Sequence, residues 1–496
     1  MAKINKDLDR RRAGVLLHIT SLPGQGDYGE LGEEAYRFVN FLRDANITVW
    51  QTLPIGMPHG DGSPYQCLSA NAGNPQLINL DRLIQKGWLN PDEYRCSDSL
   101  CADLGSKRCA LDKVFRNFLH SADKADRHAF AVFCEEQHHW LEDFALFLAF
   151  KKEFNQTSWS DWPEPIRQRD AQTIRNGRRR HVHLIDFFKF EQFVFFQQWH
   201  DLKNYAHQQG VLLFGDIPIF VAFDSADVWA LRKNFKLNEQ GEMTVVAGVP
   251  PDYFSSTGQR WGNPHYDWDY LRSTGFKWWI ERMRMQQQLF DFVRIDHFRA
   301  LEAAWEIPAE EDTAVNGSWV EAPGKELLDA IYNQLGDINL IAEDLGIITQ
   351  NVEKLRDHFN LPGMKILQFA FDGSSNNPYL PYNYVKNCVA YTGTHDNNTT
   401  LGWYYELNDG ERHRINEFLG FSDLPMPAAL VCEALASIAN LAIIPMQDIL
   451  ELGGEHRMNR PGTTEGNWHW RFDWSQLTSD KVGRFAHWVR LYGRAG

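Results

Sequence analysis

Three acids follow short apolar runs in this chain: Asp296 after 292–295, Glu343 after 338–342 and Asp396 after 388–392. Val293 and Ile295 are β-branched and suit a buried strand, while Arg294 and Asp296 alternate with them on the opposite face. A strand that buries a cation and ends in a carboxylate takes on a desolvation penalty that packing alone would not select. Carboxyl groups crowded together cannot all stay ionised, so one should hold a proton near neutrality. A protonated carboxyl beside an ionised one is the equipment for retaining glycosyl transfer. One acid protonates the leaving oxygen and the other attacks the anomeric carbon, with the pair about 5–5.5 Å apart. The competing reading takes each acid as a helix cap, and Arg294 as half of an ion pair closing a core layer. It accounts for any one of these residues more easily than for all three acids together with Arg294 and His395.

Eight apolar runs are long enough to be strands: 14–20, 48–54, 211–214, 292–295, 338–342, 364–369, 388–392 and 441–445. Several follow a helical pattern. Phe187, Phe190, Phe193, Val194 and Gln197 share one face of a helix that should stop at Gly210, and Thr349 should start another. Eight such alternations predict an α/β fold, a (β/α)8 TIM barrel spanning 1–496 as one catalytic unit, whose C-terminal rim carries the chemistry. All three acids then reach the same rim.

The uneven spacing predicts two insertions. Residues 56–186 lie between the second and third runs and should form a mostly helical subdomain. One face there would be Leu111, Val114, Phe115, Phe118 and Leu119, and another Leu141, Phe144, Ala145 and Leu148. Residues 221–277 follow the third run and read as a loop-rich subdomain forming part of the cleft. Within it, 248–268 is a candidate lid against water. No separate C-terminal β-sandwich is expected.

Composition narrows the partners. Hydrophobic residues make up 43% and charged residues 23%, which fits a folded globular protein. The formal charge is 50 − 65 = −15, arguing against nucleic acid or an anionic membrane as partner. Arg178, Arg179 and Arg180 therefore read as a solvated loop. The seven cysteines are odd in number and lack metal spacing, as for reduced thiols in a cytosolic protein. The charged N-terminus has no apolar core behind it, so a secretory signal is not expected. Trp is abundant, with 18 residues, and many lie in Gly/Pro/Asn-rich text such as 259–268 and 466–474. Flat rings with polar neighbours suit a pyranose.

An ordered set of motifs adds to this. They are Ser63-Pro64-Tyr65, Gly215-Asp216-Ile217-Pro218-Ile219, Gln259-Arg260-Trp261-Gly262-Asn263-Pro264, Arg294-Ile295-Asp296-His297-Phe298-Arg299, Ala342-Glu343-Asp344-Leu345-Gly346 and Thr394-His395-Asp396-Asn397. In that order the sequence resembles the 4-α-glucanotransferases, glycoside hydrolase family 77 of the α-amylase-like superfamily, over nearly its whole length. The resemblance implies Asp296 as nucleophile, Glu343 as general acid and then base, and Asp396 as the acid that holds sugar hydroxyls. It implies Arg294, His395, Asp216, Tyr65 and Trp261 as substrate-binding residues, with Tyr65 and Trp261 offering stacking faces. Trp261 should sit in an exposed turn. No cofactor and no metal are implied. Amylases carry Asn and His four and five residues after the third-strand Asp, where this chain has Phe220 and Val221, so structural calcium is not expected there.

The partners implied are α-1,4-glucans and maltooligosaccharides as donors, and glucose or a maltooligosaccharide as acceptor, in the cytoplasm or a plastid. Two alternatives remain at this level: an α-1,4-glucan hydrolase on the same scaffold, and a non-catalytic glucan-binding protein.

Overall fold

The computed structural model describes residues 9–24, 26–93, 106–251 and 255–496. Eight parallel strands form the central sheet: Arg12–Leu16, Val49–Gln51, Leu212–Ile217, Phe292–Ile295, Leu340–Ala342, Gly363–Ile366, Cys388–Tyr391 and Leu441–Pro445. Neighbours in sequence order pair except the fifth and sixth, and the first also pairs with the last, Arg12 opposite Leu441 and Leu16 opposite Pro445. Between the fifth and sixth strands the ladder thins. There the Ala342 amide donates to the Pro362 carbonyl at 2.9 Å, and the Met364 amide donates to Asp344 Oδ1 at 2.7 Å. A Cβ at Gly363 would stand 2.3 Å from Asp344 Oδ2, so glycine is what lets that carboxylate stitch the barrel shut.

Alternation along the strands separates two cores. Inside the barrel, Val49, Phe214, Phe292, Ile341, Met364, Val389, Leu441 and Ile443 pack together with Met458. Val293, Ile295, Leu340 and Ala342 face outward into the larger core beneath the helices. Each large apolar side chain so buried contributes about 1.5–3 kcal/mol. Toward the C-terminal rim the interior turns polar, with Gln51 bonded to the Tyr391 hydroxyl at 3.0 Å, and Asp216 level with Arg294 on the neighbouring strand.

The stretch between the second and third strands carries helices that include Ser106–Ser121, Lys124–Glu136, His138–Glu153 and Val182–Gln208. The last ends just before Gly210, whose φ is +76°. Leu111, Val114, Phe115 and Phe118 are buried, but Leu119 is 46% exposed and does not belong to that face. Arg178–Arg180 form the last turn of a helix rather than a loop, where cations meet the negative end of the helix dipole and pair with Asp143 and Glu153.

The 221–277 stretch, expected to be loop-rich, contains strands Val245–Val249 and Gln259–Pro264. They join Ala303–Pro308 and Ser318–Glu321 in an antiparallel sheet of four. Cys67, Cys134, Cys388 and Cys432 are free thiols, whereas Cys109 is disulfide-bonded, which corrects the reading of every cysteine as reduced. Cys96 and Cys101 lie outside the described residues. Among the described residues no helix is long and apolar enough to cross a membrane.

Candidate active site

Asp216 and Arg294 point into the barrel from the third and fourth strands, one level above the apolar layer. The third strand runs on to Ile217, past the predicted run, so Asp216 is a strand residue and not a helix cap. Its Oδ2 meets Arg294 Nη1 at 2.5 Å, and Arg294 Nη2 meets Asp296 Oδ1 at 2.8 Å. One guanidinium thus clasps two carboxylates. Burial works against the charge of Arg294, but the two carboxylates outweigh it and hold its pKa above the usual value. Removing this cation would leave Asp216, whose side chain is 1% exposed, uncompensated. Arg294→Met should therefore destabilise the protein by about 3–5 kcal/mol. Chemical denaturation at neutral pH measures it, and a loss under about 1 kcal/mol would show that the pair is not an electrostatic keystone.

His297, directly after Asp296, takes a left-handed conformation with φ +49°. The turn aims its amide at Glu343 Oε2, 2.6 Å away. A single backbone step therefore links the two acids. Burial pushes Glu343 up to about 8, aided by the charge of Asp296 and opposed by Arg294 and this amide. Burial likewise raises Asp296, to about 7, against the direct pull of Arg294. Arg294 in contact keeps Asp296 the more readily ionised of the two, so the proton they share rests on Glu343.

Asp396 was expected at the end of the seventh strand. That strand stops at Tyr391, and Asp396 lies beyond it in a loop shaped by Thr394, whose amide and hydroxyl both donate to Asn397 Oδ1. His395 precedes it and is buried. The Tyr65 hydroxyl donates to Asp216 Oδ2 at 2.6 Å and lies 2.9 Å from His395 Nε2. Because the phenol has one proton and gives it to Asp216, Nε2 must carry the imidazole proton. Burial lowers the His395 pKa, which keeps the ring neutral at neutral pH. A continuous polar chain thus runs from Asp296 through Arg294, Asp216, Tyr65 and His395 to Asp396, whose Oδ1 is 3.3 Å from Nε2.

The two ends of that chain are its exposed groups, with side chains 29% exposed at Asp296 and 45% at Asp396, while its middle is buried, 1% at Asp216. Among the described residues Asp216 Oδ1 is buried without a hydrogen-bond partner. Tyr65 has one ring face against His395, 5.3 Å between centroids at 15°. Trp261 is half-buried on a strand rather than in an exposed turn, at a bulge where Gly262 takes φ +79° between the paired residues Arg260 and Pro264. Its ring meets His297 edge-on at 4.9 Å.

Sequence reasoning missed three residues here. Trp468 packs against both Tyr65 and His395 and lines a neighbouring cavity of about 240 Å³ with His18, Met57 and His59. Arg457 and Asn459 both bond to Asp396. All three follow the eighth strand, where no periodicity or strand end marks a site, and only Trp468 carried a signal, as part of the Trp-rich text 466–474. Among the described residues, no group of three or more His, Cys, Asp or Glu side chains has the arrangement to hold a metal ion.

Comparison with known proteins adds to this geometry. The family described as 4-alpha-glucanotransferase matches residues 17–477. A 4-alpha-glucanotransferase of Synechocystis sp. is 46% identical, covering 98% of this chain and 99% of its own. One of Arabidopsis thaliana, named as chloroplastic/amyloplastic, is 42% identical over 98% of this chain and 86% of its own. The amylomaltase from Streptococcus agalactiae, solved in complex with acarbose, superposes with a TM-score of 0.93 at 36% identity, covering 98% of this chain and all of that one.

Proposed function

The chain belongs to the 4-alpha-glucanotransferase family, glycoside hydrolase family 77, and we propose that Asp296, Glu343 and Asp396 carry out its reaction. The enzyme transfers a segment of an α-1,4-glucan to the 4-hydroxyl of a glucose or maltooligosaccharide acceptor. In the first step an oxygen of Asp296, kept ionised by Arg294, forms a bond to the anomeric carbon. The glycosidic C–O bond breaks and the leaving oxygen takes the proton of Glu343. In the second step Glu343, now a carboxylate, removes the proton of the acceptor hydroxyl, whose oxygen displaces Asp296. Asp396 would hold hydroxyls of the sugar as its ring flattens toward the oxocarbenium-like transition state. His395, Asp216 and Tyr65 would bind the same sugar, and Trp261 would face the neighbouring one. The observation that carries this assignment is the 2.6 Å bond from the His297 amide to Glu343, which fixes a proton-holding acid beside the Arg294-clasped Asp296.

The inserted stretches 56–186 and 221–277 would frame the cleft, the first through Tyr65 and the second through Trp261. The setting would be the cytosol or a plastid, the latter on the analogy of the plant relative; fractionation of the source cells tests it. Incubation with maltotriose alone tests the reaction. Glucose and longer chains should accumulate while total reducing ends stay constant, whereas a rise in reducing ends would mean hydrolysis.

A further inference from the structure

We infer that Asn459 is a positioning residue that fixes Asp396 for turnover, an inference that rests on the role proposed above for Asp396. The carboxylate of Asp396 sits on a loop with a half-exposed side chain, and such a group would sample several rotamers if left untethered. Its shortest side-chain contact is Asn459 Nδ2, at 2.7 Å from Oδ1. His395 Nε2 is farther, at 3.3 Å, and is already engaged with the Tyr65 hydroxyl. Arg457 Nη2 holds the Asp396 carbonyl at 3.0 Å, and Arg457 Nε returns to the Asn459 carbonyl at 3.2 Å.

Between these two residues Met458 is buried in the barrel's own apolar interior. The triplet therefore works as a plug with two arms. Met458 anchors it in the core, while Arg457 grips the backbone of Asp396 and Asn459 its side chain. An amide suits the second arm for a chemical reason. It donates to the carboxyl group without carrying charge, and it occupies Oδ1 while leaving Oδ2 for a sugar hydroxyl. Lysine or arginine there would compete with the sugar for both oxygens.

Three variants test this on maltotriose. Asn459→Asp keeps the shape but replaces the donor by an acceptor, and Asn459→Ala removes the arm. Both should lower kcat by about a hundredfold, the effect of a small misplacement of a reacting group, with KM and melting temperature near wild type. In an Asp396→Asn background, Asn459→Ala should cause no further loss, since the group it positions is already disabled. The inference is overturned if Asn459→Asp keeps wild-type turnover, or if the two losses multiply in the double variant. A fully active Asp396→Asn variant would overturn the role of Asp396 itself, and with it this one.

Discussion

Replacing Asp296 by Asn should reduce transfer by at least about 10⁴-fold, the scale seen when a covalent nucleophile is removed from an intact site. The substitution preserves volume and leaves Arg294 its second partner, Asp216. Folding should survive, and a linkage argument says more. The pKa of Asp296 is raised by burial to about 7. A carboxyl that binds its proton more tightly when folded loses native stability as pH rises from its unfolded value, near 4, to its folded one. At pH 8 the Asn variant should therefore melt no lower than wild type, and the difference should shrink toward pH 4. Turnover and melting curves of the two proteins check both parts. A variant with a tenth of wild-type activity would remove Asp296 from the mechanism.

Glu343→Gln should lower transfer between maltooligosaccharides by about 10²–10⁴-fold, the usual contribution of a general acid–base group. Wild-type kcat/KM should be bell-shaped in pH. Activity requires Glu343 protonated, so it falls as pH rises through about 8; it requires Asp296 ionised, so it falls as pH drops through about 7. The two limbs belong to the pair, which is active with one proton between them. The Gln variant should lose the alkaline limb. With a glucosyl fluoride donor, whose leaving group needs no proton, its first step should recover, and the glycosyl-enzyme should accumulate because no base activates the acceptor. Intact-protein mass spectrometry would see the adduct on Asp296. Persistence of the alkaline limb in Glu343→Gln would assign that limb to another group.

The fold was readable because its determinants are local and periodic. The alternation of Val293 and Ile295 with Arg294 and Asp296 states which side of the strand faces the barrel, and the structure keeps that division. Positions where the reading slipped share a different cause. Leu119 continues a helical stripe in the text, yet the stripe is wider than the surface available to cover it. Trp261 sits among turn-forming residues, but its flanking residues Gln259, Arg260 and Pro264 pair with Val245–Val249 and carry it into a sheet. The antiparallel sheet around it draws on residues on both sides of the fourth barrel strand, and no local pattern encodes that pairing.

The sequence by itself determined the barrel and singled out the acids proposed to react, because strand period and residue chemistry act within a few residues of one another. Tertiary structure decided how those groups are charged and aimed. Glu343 holds its proton because of what buries it, Asp296 gives its proton up because Arg294 is 2.8 Å away, and Asp396 is steadied by Asn459, a residue from a different loop. Electrostatic and hydrogen-bond energies depend on distances through space, and the order of residues along the chain does not contain those distances.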